Sequence, residues 1–330
     1  MLGFLLARAI RAALVVLTAM LVGFALVTAL PGERLTVSST TESRSGSARG
    51  ARETQAPATS TWLSYVARLG QGDLGQATSE PRPVRTLLAE ALPATLWLAL
   101  PAFVLATLVG VGGGSLLGWY SQSRAGQLAA GALLVLYTLP DVVLGTLALT
   151  LLAGVWPLLP AGGLADPRVA LLGTPVEQAV DRLRHLVLPT LVLALSWSPA
   201  LFRQQQRAMA RLQRAPSLQV ARAKGVRERT LLWIHALPQA SLGALALLGA
   251  LLPTLVGGAV VVETLFAWPG MGRLMVYAVA MRDAPLLAGG LLCIAAAVAF
   301  GSLLTSALAR WLDPRLRTDA RDPVPGRIAA

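Results

Sequence analysis

A chain of 330 residues that is 55% hydrophobic and 13% charged has about half the charge usual for a soluble domain, which excludes an ordinary water-soluble fold. Its formal charge of +12 does not indicate nucleic acid, because no folded basic module with groove-reading or base-stacking elements goes with it. The lone cysteine, Cys293, excludes an internal disulfide framework and any cysteine-based metal cluster; the composition is that of an integral membrane protein.

From Ala12 to Leu30 the chain is apolar and uncharged, with Arg8 and Arg11 before it and Pro31 and Gly32 after it. A secretory leader has the same polarity, but its apolar region spans about 7–15 residues and ends in a small-residue cleavage site. The stretch is expected to be a retained first transmembrane helix, so that residues 1–30 make a cytoplasmic amino terminus and the first span. Residues 31–92 are then an extracytoplasmic loop. Thr36 to Thr61 is rich in Ser, Thr, Arg and Ala with little to bury, a composition typical of disorder. Trp62, Leu63, Tyr65, Val66 and Leu69 recur at helical spacing before a GQGDLG turn, and this piece is expected on the membrane surface.

Five more apolar runs follow, Ala94–Tyr120, Leu128–Val155, Leu186–Phe202, Leu242–Val262 and Leu286–Trp311, so that residues 93–311 form a five-helix core and 312–330 a tail. A span needs about 20 residues to cross roughly 30 Å of hydrocarbon. Leu186–Phe202 is short and carries Pro189 and Pro199, and is expected to continue as a helix through Arg203–Arg214. Gly110, Gly114 and Gly118 repeat every four residues, a spacing that lets another helix approach closely. Six spans leave both termini on one side. With the amino terminus inside, the inner segments hold the entire formal excess of +12, as the positive-inside tendency expects.

Within the inner segment 203–240, Ser217 to Ala240 reads SLQVARAKGVRERTLLWIHALPQA. Gly225 breaks a helix four residues after Ala221, and Pro238 is expected to stop a second short helix from running smoothly into the next span. Ala221, Ala223 and Gly225 leave a smooth face among Arg222, Lys224, Arg227 and Arg229, suited to docking on a soluble protein. A basic loop that only fixes membrane orientation is the plainer alternative.

No GxxxxGK[ST] stretch cradles nucleotide phosphates, so the chain is not expected to hydrolyse ATP. His185 and His235 fall in different segments, neither beside a nucleophile, and His185 is expected to cap or anchor the end of a span; no catalytic or metal site is visible. Asp141, in LPDVVLG, is the single acid within a span, either satisfying donors freed beside Pro140 or lining a pathway. In VVETLFAWPGMGRL, Glu263 ends a span, Phe266 and Trp268 suit a membrane interface, and Pro269, Gly270 and Gly272 fold the chain back. That stretch is either an aromatic belt with a turn or a compact element over the outer mouth of a cavity.

These residues together resemble a family. ARAKG at Ala221–Gly225 with HALP at His235–Pro238 is similar to the cytoplasmic loop of bacterial ABC importer permeases of the dipeptide, oligopeptide and nickel group. GDLG and RPV at 72–75 and 82–84, RHLVLPTL at 184–191, GGAVVVETLFAWPGMG at 257–272 and LDPRLR at 312–317 fit the same group in the same order.

The resemblance implies an all-α, six-span type I importer permease of a bacterial inner membrane. It would pair with a second permease, two cytoplasmic ATP-binding subunits and an extracytoplasmic substrate-binding protein, ATP and Mg being used by the partners. Ala221, Ala223 and Gly225 would fit the ATPase groove, Arg222 and Lys224 would flank it, and Leu237 and Pro238 would mark the return to the membrane. Glu263 to Gly272 would shape the outer mouth or meet the binding protein. Gln219 stands where relatives carry a charge. The rival readings are a proton-driven carrier working through Asp141 and a scaffold whose basic loop binds anionic lipid.

Overall fold

The computed structural model describes residues 73–312 except 122, 252–254 and 256–258, together with residues 14, 18, 21 and 22 of the first apolar run. Apart from those four, the residues of the expected first span at Ala12–Leu30 lie outside the described residues, as do the loop through Leu69 and the tail after Leu312. Those described are helical, and their one β pairing is an isolated bridge between Gln76 and Pro83.

The first long helix, α1, runs Val84–Trp119. It starts ten residues before the expected span, inside the segment assigned to the outer loop. The reason is a short face at helical spacing: Val84, Leu87, Leu88 and Ala91 are buried against Met271, Met275 and Leu286. Leu74 and Ala77, from the chain just before it, join the same cluster.

The run Leu128–Val155 is not one continuous helix. It divides into α2, Arg124–Thr138, and α3, Asp141–Val155. Pro140 takes φ −59° and ψ 147° and disfavours helical geometry at Leu139, which parts the two. A short α4, Pro167–Leu172, leads into α5, Pro175–Gln213.

Thr174 opens α5 with a capping box, its hydroxyl accepting from the Glu177 amide while the Glu177 carboxylate accepts from the Thr174 amide at 2.8 Å. Its 39 residues give about 58 Å of helix, roughly twice the hydrocarbon thickness. The expected extension through Arg203 is present, and a second extension of eleven residues precedes Leu186. His185 therefore lies within the helix, buried, its Nδ1 2.9 Å from the Asp181 carbonyl. Pro199 stays inside the helix, and the carbonyl it deprives of an amide partner, that of Leu195, has the Ser198 hydroxyl 3.4 Å away.

The glycine repeat seats α1 on α5. A Cβ at Gly110 would stand 2.6 Å from Leu201 Cβ, at Gly114 2.7 Å from the Phe202 carbonyl oxygen, and at Gly118 2.6 Å from the Gln206 carbonyl oxygen. Beside this seam Gln205 is fully buried and donates through Nε2 to Ser115 of α1 at 2.9 Å. It also reaches Ser241 at 3.4 Å, which ties in a third helix.

After α6, Pro216–Ala223, that third helix is α7, Glu228–Leu251. It passes straight through Pro238, against expectation. A π-helical stretch at Leu231–Ala236, with the Leu237 amide bonding back to Leu232, widens the ladder just where proline lacks a donor. Beyond it come α8, Val260–Leu265, α9, Met271–Ala280, and α10, Ala284–Leu312. Among the described residues four helices, α1, α5, α7 and α10, are long and apolar enough to cross a membrane.

Replacing Gly114 by Leu forces a branched side chain into the Phe202 backbone and is expected to destabilise the detergent-solubilised protein by about 1–3 kcal/mol. Gly112→Ala, where an added Cβ meets nothing within 4 Å, is expected to leave thermal unfolding near the parent value or above it. Comparison of the two melting curves checks the packing assignment.

Candidate functional site

The basic segment at one end of the bundle folds as a short helix held by one face. Pro216 at the first position pre-sets the backbone of α6. Leu218 is buried and, with Ala221 and Val226, packs against Trp119 of α1, Met209 of α5 and Leu231 and Leu232 of α7. Gly225 takes φ +79°. The Val226 amide bonds the Ala221 carbonyl at 3.2 Å and the Gly225 amide that of Arg222 at 3.0 Å, which is a Schellman closure.

The conformational need for glycine at 225 is therefore met within the chain, yet the space above it is open: an added Cβ meets nothing within 4 Å. Val220, Ala223, Lys224 and Gly225 form an exposed face around the turn. Ala221 is half-buried beneath it rather than part of that face.

Arg222 does not stand free beside it. Its guanidinium is bidentate to Glu228, through Nε to Oε1 and through Nη2 to Oε2 at 3.1 Å, and lies 5.9 Å from the Trp119 ring centre. Gln219 donates to the Arg214 carbonyl at 3.2 Å, linking α6 to the end of α5. Of the HALP residues, His235 and Pro238 are exposed and Leu237 is half-buried, all within α7.

Some 24 residues along α7, or about 36 Å at helical rise, the other conspicuous stretch forms a compact cap. Phe266 and Trp268 are 1% and 0% exposed, so they are core residues and not an interfacial belt. The Trp268 indole donates to the Ala94 carbonyl at 2.8 Å. Glu263, fully buried, accepts from Thr95 of α1 at 2.6 Å and from the Gly272 and Arg273 amides at 2.7 and 3.1 Å.

Two glycines make room for that carboxylate. A Cβ on Gly270 would fall 2.3 Å from Glu263 Cδ, and one on Gly272 2.6 Å from Val260 Cα. Ala267 reverses the chain at φ +51° and Pro269 is exposed. The residues expected at the mouth are thus brought together, but Glu263, Phe266, Trp268, Gly270 and Gly272 shape it from within and present no side chain outward.

Asp141 is the first residue of α3, half-exposed, with no hydrogen bond or ion pair to another described residue. Sequence reading passed over Asp283, which is fully buried. It accepts from the Leu286 amide at 3.0 Å, capping α10, and from the Ser79 amide and hydroxyl at 2.8 and 2.6 Å. The signal was present as an aspartate two residues before Pro285, a capping pattern. Trp119 and Glu228 had no such local signal.

Glu263→Ala strands three donors in a buried site and is expected to destabilise the protein by at least about 3 kcal/mol, seen as lost membrane abundance and a lower melting temperature. Glu263→Gln keeps acceptor capacity and is expected to lose less.

Residues 110–318 match the family model for the binding-protein-dependent transport system inner membrane component. The probable D,D-dipeptide transport system permease protein DdpB of Escherichia coli (strain K12) is 32% identical over 265 residues, 76% of this chain and 78% of that protein. The oligopeptide transport system permease protein AppB of Bacillus subtilis (strain 168) is 30% identical over 77% of this chain and 79% of its own length. The dipeptide transport system permease protein DppB of Escherichia coli (strain K12) is 29% identical over 78% and 80%. The match takes in both ends of the bundle, the α6 turn and the Glu263 cap, and the chain belongs to the binding-protein-dependent transport system inner membrane components, the permease subunits of ABC importers.

Proposed function

We propose that this permease forms part of the translocation pathway of an ATP-driven importer for peptides, with nickel chelates or other small solutes as lesser alternatives. It works in a bacterial cytoplasmic membrane beside a second permease, with both termini cytoplasmic. Two cytoplasmic ATP-binding subunits supply ATP hydrolysis with Mg, one of them seated on α6, and a substrate-binding protein delivers solute at the Glu263 end. The chain itself carries no catalytic step. Support for peptides comes from relatives that are dipeptide and oligopeptide permeases; support for the docking site comes from the fold.

The observation that carries the docking assignment is the open space over Gly225. Most of the described glycines in this bundle are needed by the chain's own packing, as at Gly110 or Gly272. Gly225 is not: its turn is internally bonded, its surroundings are empty, and Val220, 54% exposed, sits apolar beside it with Lys224. A small, partly apolar, positively flanked knob at the end of two long helices suits a groove on a soluble partner. The same partner gives the chain the fuel it lacks.

Asp tolerates the left-handed backbone better than most residues, so Gly225→Asp is accommodated by this chain and its effect reports on what lies above. Burying an unpaired carboxylate in the docked complex is expected to lower uptake at least about tenfold at normal membrane abundance. Gly225→Asn, equally tolerant but uncharged, is expected to lose less. Purification of the tagged chain is expected to recover a sister permease and ATPase subunits. Recovery of the chain alone, with full uptake by the Asp variant, would sink the assignment.

A further inference from the structure

Arg222 is the one basic residue of the docking turn whose charge is directed inward among the described contacts of that turn. Three elements meet at its guanidinium: its own helix α6, Glu228 as the first residue of α7, and Trp119 as the last residue of α1. Trp119 is 2% exposed, so it is anchored in the bundle. An ion pair at this degree of exposure adds little to overall stability. Its geometry does something else. With eight residues, α6 is far too short to be a stable rod alone, and its link to α7 is a turn of four residues, 224–227, pivoting on a glycine. A push on the exposed face of α6 would flex that turn unless something braces it.

We propose that Arg222 is a positioning residue that braces the turn: its bidentate bond to Glu228, stacked by Trp119, makes α6 move as one body with α7 and α1. This rests on the reading of α6 as the ATPase seat and adds how displacement leaves that seat. Leu218, Ala221 and Val226 hold the buried face of α6, while the Arg222–Glu228 pair resists rotation about that apolar contact. Motion entering at Val220 and Lys224 then passes into α7 directly. It passes into α5 by way of Trp119 and the glycine seam that ends at Gly118, just before it.

The test uses the assembled complex in lipid nanodiscs, with Cys293 replaced by Ser and nitroxides on Leu171→Cys and Val279→Cys. Both positions are exposed, at 84% and 61%, at the Glu263 end. Trapping with ATP, Mg and vanadate is expected to change the nitroxide distance in the parent. Arg222→Gln and Glu228→Gln are each expected to retain the ATPase subunits and more than halve that change. The double variant is expected to be no worse than either single one, since both remove the same bond.

A normal distance change in Glu228→Gln, additive effects in the double variant, or loss of ATPase from Arg222 variants alone would overturn the brace and make Arg222 a direct contact. Absence of ATPase from the parent preparation would overturn the docking reading and the brace with it. A melting curve for each variant separates a bracing role from unfolding: the expected shift is small.

Discussion

The close seam between α1 and α5 is the constraint on which the rest of the bundle depends. Inside a membrane no hydrophobic force draws helices together, so association rests on how closely backbones approach and on the few polar bonds across them. Gly110, Gly114 and Gly118 remove every side chain from one face of α1 over two turns, and α5 lies with its backbone oxygens where those Cβ atoms would be. Gln205 can reach Ser115 only because of this approach, and from there Ser241 of α7. Both functional ends hang from the seam: Trp119 lies one residue past Gly118, and Ala94 and Thr95, which hold the cap, lie on the same α1.

Two kinds of helix reversal position the ends. The chain turns after α6, α8 and α9 through residues at positive φ, Gly225 at 79°, Ala267 at 51° and Arg282 at 54°. Each is followed by an amide that bonds back five residues, to Ala221, Glu263 and Ala278. Only the first uses glycine, the residue that adopts this backbone without cost. At the second, burial of Trp268 and Phe266 around the turn holds alanine in the less favoured conformation. The contrast separates a turn left bare on its outer side from turns fixed by core packing.

Much of the architecture was legible. Helical class, the long apolar runs, the glycine contact and the turn at Gly225 follow from spacing and composition alone, because each is a local property or a strict period. The early start of α1 was legible too, in Val84, Leu87, Leu88 and Ala91, but average polarity over that stretch masked the period. What composition could not provide was pairing across the fold. Arg222 looks like any other charge in a basic loop until Glu228 is seen to face it, and Glu263 looks like the end of a span until Thr95 of α1 arrives beside it. Phe266 and Trp268 suit a membrane surface by chemistry, and only the fold tells that their surroundings are protein. Pro238 misled for a related reason: the π stretch that accommodates it is a property of the preceding turn, not of proline.

The unbroken length of α5 has a geometric consequence. For a rod of about 58 Å, a tilt of roughly 5° about its midpoint would carry each tip about 2.5 Å in opposite directions. A tilt imposed at one tip of such a rod would reach the other with its sign inverted.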